Sequence, residues 1–127
     1  MTPIHKQLAG GKWFTLTSME QLGNIGSEIE RTLRAREKGD TARCSAAFER
    51  ALELIDLTVS DPKWRMRLKE LLRTREAFCD YLFGDNEYRI TAEQIRKDFL
   101  AYGAAARTKV LRQKNDFGTA LPKTTNF

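Results

Sequence analysis

Apolar side chains recur along this chain at intervals of three and four, and the runs are separated by short polar stretches that carry glycine, aspartate or proline. Met19, Leu22, Ile25, Ile29 and Leu33 fall on one face of a helix, with Glu28, Glu30, Arg31, Arg34, Arg36 and Lys38 around the rest. Thr17 and Ser18 precede Glu20 and Gln21 by the spacing of a capping box, which predicts a first helix over about 17–38. Gly39 then supplies a stop and Asp40 an N-cap, so a second helix over 41–59 should return antiparallel to the first. Its stripe is Cys44, Phe48, Ala51, Leu52, Ile55 and Val59, widened by Ala47, Leu54 and Leu57.

Ser60, Asp61 and Pro62 mark the sharpest boundary, because Asp61 can cap free amides and Pro62 suits a first helical position. A third helix is predicted over 62–83 from Trp64, Leu68, Leu71, Phe78 and Leu82, with Leu72, Cys79 and Phe83 beside them and Gly84 as its stop. After a polar turn at Asp85 to Tyr88, Thr91 and Gln94 repeat the capping spacing. They open a fourth helix over 92–113 with Ile95, Phe99, Tyr102, Ala106 and Val110 on one face. The expected fold is all-α, an up-and-down four-helix bundle over 17–114. A flexible N-terminal arm over 1–16 should precede it, packing only from about Trp13, and a loose C-terminal tail over 115–127 should follow.

The chain's 127 residues suit one domain, which at this size buries roughly two-thirds of its unfolded surface without needing a staple. No apolar run reaches the ~20 residues that a membrane crossing takes, and no signal-peptide pattern opens the chain, so a soluble, cytoplasmic protein is expected. In that compartment Cys44 and Cys79 read as two buried free thiols.

Chemistry has little to draw on. The single histidine, His5, lies in the predicted arm, and there is no Cys-x-x-Cys pair, phosphate-binding glycine loop or Gly-x-Ser-x-Gly elbow. Neither a catalytic residue nor a metal or other cofactor is therefore expected. Glu49, Glu53 and Asp56 do share a face of the second helix. The Glu53, Asp56 spacing resembles one of the two magnesium-holding motifs of the all-α nucleotide pyrophosphohydrolases, which leaves a magnesium-dependent hydrolase as a remote alternative. The partner motif is missing, since Glu28 and Glu30 stand two apart. The segment from Arg75 resembles the arginine end of the HEPN nuclease signature, but Asp80 and Tyr81 occupy the positions where histidine belongs, so no catalytic role carries over.

Two polar groupings remain. Arg75 and Glu76 interrupt the apolar stripe of the third helix, which predicts a polar core layer with Glu28 or Arg31 of the first helix as partner. The second is a charge asymmetry within a net charge of +5: residues 1–62 hold 8 basic and 9 acidic side chains, residues 63–127 hold 14 and 8. Lys63, Arg65, Arg67, Lys69 and Arg73 begin the third helix, and Arg107, Lys109 and Arg112 end the fourth. An antiparallel pair would place both sets together, where they could bind nucleic-acid backbone, while Arg34 and Lys38 of the less basic half should matter less. In size, charge and helix content the chain is similar to the small basic four-helix proteins that accompany reverse transcriptases in diversity-generating retroelements, and to small helical subunits of CRISPR effector complexes. The function expected is a non-catalytic accessory or scaffold protein that binds nucleic acid or docks on a nucleic-acid enzyme. The alternative is a homo-oligomeric interaction module in which the charge is incidental.

Overall fold

The computed structural model describes residues 10–87, 89–99 and 101, and every regular element among them is helical. Helix α1 spans Ser18–Glu37, α2 Thr41–Val59 and α3 Leu68–Phe83, and α4 covers 92–99 and 101. Two short 3₁₀ segments, Lys12–Thr15 and Pro62–Arg67, precede α1 and α3.

The predicted caps form. The Thr17 hydroxyl accepts from the Glu20 amide at 3.1 Å while the Glu20 carboxylate accepts from the Thr17 amide at 2.9 Å. Gly39 takes a φ of +76°, a conformation open to glycine at little cost, and the Asp40 side chain accepts from the Arg43 amide. Three residues thus join α1 to α2, and this hairpin makes the most extensive helix pairing of the described chain. Before α4 the Thr91 hydroxyl accepts from the Gln94 amide, but the Gln94 side chain turns forward to Asp98 instead of closing the box.

The core joins Leu22, Ile25, Ile29 and Leu33 of α1 with Ala51, Leu54 and Ile55 of α2, Leu71, Phe78 and Leu82 of α3, and Ile95 and Phe99 of α4. Phe48 stacks obliquely on Phe78 at 5.3 Å between ring centres and edge-on against Phe83 at 4.8 Å, locking α2 to α3. Arg36 lies over the Tyr81 ring at 4.5 Å, tying α1 to α3. On α4, Arg96 donates to Glu30 at 2.9 Å and to both oxygens of Glu37 at 3.1 and 3.2 Å. Those bonds hold the Glu30 carboxyl below its ordinary value and raise that of the guanidinium.

Three expectations change. Residues 10–16, read as part of the arm, belong to the fold, because Trp13 is completely buried. Residues 62–67 form a 3₁₀ turn before the α-helix: the Asp61 carbonyl accepts from the Trp64 amide, and the tighter winding carries Trp64 into the core while leaving Met66 exposed. Leu72 and Phe83, read beside the apolar stripe, are exposed, so the buried line of α3 is narrow. The remainder of the expected fourth helix, to 113, and the tail over 115–127 lie outside the described residues.

Beneath the two 3₁₀ turns lies a buried polar junction. Gln21, fully buried, donates to the Trp13 carbonyl at 3.0 Å and to the Asp61 carboxylate at 2.9 Å, and accepts from the Trp64 indole at 2.7 Å. The Trp13 indole donates to the Thr58 hydroxyl at 2.9 Å, which itself donates to the Leu54 carbonyl. Burial pushes the Asp61 carboxyl up, but hydrogen bonds from Gln21 and Lys63 outweigh it and leave the group below its ordinary value.

Replacing Gln21 with alanine orphans an indole N–H, a carbonyl and one carboxylate contact, so Gln21→Ala should cost about 2–4 kcal/mol. The exposed Gln94→Ala should stay within about 0.5 kcal/mol, and urea unfolding compares the two. Because Asp61 has a lowered value when folded, its contribution is complete above the unfolded carboxylate value of about 4 and lost as pH falls below it. The stability gap between wild type and Asp61→Asn should therefore be constant from about pH 5 to 7 and narrow by pH 3.

Candidate nucleic-acid interface

The cations predicted to begin the third helix divide into two groups. Lys63 is turned inward, its Nζ donating to Asp61 at 2.7 Å and to the Phe14 carbonyl at 3.4 Å, so it braces the buried junction. Arg67 is half-buried, with its Nε bonded to Glu70. Arg65, Lys69 and Arg73 are exposed at successive intervals of four, with no ion-pair partner among the described residues. Arg73 also borders a hollow of about 300 Å³ with Arg67, Glu70, Thr74, Asp98 and Ala101, where the start of α3 meets α4. Arg107, Lys109 and Arg112 lie outside the described residues.

The expected polar core layer does not assemble. Arg75 reaches sideways to α2, where its Nε and Nη2 donate to the two oxygens of Asp56 at 2.7 and 3.3 Å. Both side chains remain open to solvent, Arg75 at 34% and Asp56 at 56% exposure. The reason is the narrow buried line Leu71, Phe78 and Leu82: Arg75 lies just off it, and a long stem lets the charge reach water. Glu76 is exposed on α3. Glu28, which is buried, belongs to a different set: its carboxylate holds Arg50 of α2 and Arg31 of α1, each at 3.1 Å.

The guanidinium on Asp56 also bears on the magnesium reading, since the carboxylate that would share a metal with Glu53 already carries a bidentate arginine. Among the described residues no group of three or more histidine, cysteine or acidic side chains could hold a metal ion. Both cysteines are free; burial pushes the Cys79 thiol up, although Arg75 stands beside it.

One basic surface is missed by counting charge in halves. Arg31 and Arg34 on α1, Lys38 at its C-cap, and Arg43 and Arg50 on α2 line a groove of about 450 Å³ along the hairpin, with Ala35, Ala46 and Ala47 in its lining and Asp40 at one end. The signal was present in the spacings: these cations stand three, four and seven apart on two helices joined by three residues. The acids that hold these arginines, Glu28, Glu30 and Asp40, and those elsewhere on the two helices cancelled it in the sum.

With this geometry in hand, comparison with known proteins finds no counterpart: no family model, curated protein or solved structure matches the chain.

Arg75→Ala removes a solvent-exposed bridge and should cost about 1 kcal/mol or less, below the 2–4 kcal/mol that a buried layer implies. Glu28→Ala leaves two arginines without their shared carboxylate at a buried position and should cost about 1–3 kcal/mol. Urea midpoints would rank the two, and an Arg75 variant as damaging as the Glu28 variant would contradict this placement.

Proposed function

We propose that the chain is a non-catalytic accessory or scaffold protein of the cytoplasm, a basic up-and-down four-helix bundle that binds nucleic-acid backbone and can thereby dock beside a nucleic-acid-processing enzyme. The observation that supports it best is the outward row Arg65, Lys69 and Arg73, three cations not engaged by carboxylates among the described residues. A polyanion is attracted to such a row through the summed field and the release of condensed counterions. Phosphate contacts of this type fix position without reading bases.

A second reading, assembly into a homo-oligomer, draws support from large apolar side chains left in water: Met66 at 74% exposure and Phe83 at 62%, with Leu72 also exposed. Light scattering on the full chain distinguishes it, since a monomer at tens of micromolar removes this reading.

For the leading reading the measurement is fluorescence anisotropy with a labelled 20-mer across a salt series. If about four to six phosphates are neutralised, log affinity should fall against log salt with a slope of about −3 to −5, with little sequence preference. No binding below millimolar at low salt would sink it.

A further inference from the structure

We propose that the groove between α1 and α2 is a phosphodiester-binding site, which names a second contact surface for the nucleic-acid reading and rests on that reading. Three of its arginines are held by carboxylates at Nε. Arg34 donates its Nε to Glu30 at 2.9 Å, Arg50 its Nε to Glu28 at 3.1 Å, and Arg43 has its Nε 3.5 Å from Asp40. A carboxylate at Nε fixes the direction of the side chain while leaving both terminal nitrogens as donors in a planar fork. That fork matches two oxygens of a phosphate group, and holding it in advance reduces the ordering cost of binding.

Charge accounting favours an anion. Arg96 is answered by Glu37, so the five groove cations Arg31, Arg34, Lys38, Arg43 and Arg50 face only Glu28, Glu30 and Asp40, an excess of two positive charges. Lys38, one of the five, is exposed. The exposure of Arg43, 85%, leaves its guanidinium accessible to a ligand in the groove.

The shape favours a chain of phosphates over one isolated ion or an acidic peptide. Arg31 to Lys38 covers about 10 Å of helix axis, roughly three nucleotide rises along one strand of a duplex. Its apolar lining consists of Ala35, Ala46 and Ala47, whose single methyl groups offer little for a peptide's aromatic or aliphatic anchor to pack against.

Lys38→Glu with Arg43→Glu is the direct test, because neither side chain holds a core carboxylate and a glutamate in the first turn of α2 suits the helix end. Lys12→Glu with Lys97→Glu changes the net charge equally at exposed positions outside both basic surfaces. Circular dichroism checks each fold, and Lys38→Gln with Arg43→Gln replaces the reversal should it unfold. By anisotropy with a labelled 20-mer, the groove variant should bind about tenfold more weakly than the control variant, with a salt slope shallower by about 1 to 2. A loss no larger than the control's, while wild type binds, overturns the groove and leaves the nucleic-acid reading standing on the α3 row. Absence of binding by wild type overturns both. A polyglutamate peptide that binds more tightly than the oligonucleotide overturns the phosphodiester assignment.

Discussion

The amide of Gln21 is the constraint on which the described structure most depends, because one side chain satisfies three groups from three parts of the chain. It holds the Trp13 carbonyl, the Trp64 indole and the Asp61 carboxylate. Two tryptophans can be buried completely only if their indole N–H groups find acceptors, and Gln21 and Thr58 are those acceptors. Asp61 adds a charge that would be costly alone, but its oxygens are occupied by Gln21 and by the amide and ammonium of Lys63. The entry into α1, the end of α2 and the start of α3 are consequently set against one another by directional bonds as well as by apolar packing.

Elsewhere the charged residues work in sets. Glu28 serves arginines on two helices, Glu30 serves one on α1 and one on α4, and Asp56 receives Arg75 across the α2–α3 contact. Each such pair is modest in water. Their placement still matters for surface chemistry, because it decides which cations are oriented, which brace the fold like Lys63, and which, like Arg65, Lys69 and Arg73, have no carboxylate partner among the described residues.

Much of the fold was legible from local signals. Caps at Thr17, Asp40, Asp61 and Thr91, and the stop at Gly39, act through neighbours a few residues away, so a reading of adjacent positions finds them. Periodicity identified the buried lines of α1 and α3 for the same reason. What escaped depended on distant residues. Nothing around Gln21 marks it as buried, since the groups that satisfy it are 8, 40 and 43 positions away. The start of α3 winds as a 3₁₀ turn because Trp64 must reach that amide, a tertiary demand on a locally helical sequence. Arg75 was assigned to the core from its place in a heptad-like series, which fixes angle around the helix but not how far a long side chain extends. The hairpin groove was divided between two helices whose separate charge counts look ordinary.

Glu30 has a consequence that follows from its double engagement. Its carboxylate lies between Arg34, which faces the groove, and Arg96, which fastens α4 to α1. Arg34 holds one oxygen of that carboxylate and Arg96 the other, so the orientation of the groove-facing arginine and the fastening of α4 are coupled through a single side chain. A change that frees α4 from α1 would therefore also alter how firmly Arg34 is aimed along the hairpin, through a carboxylate that is not itself part of the apolar core.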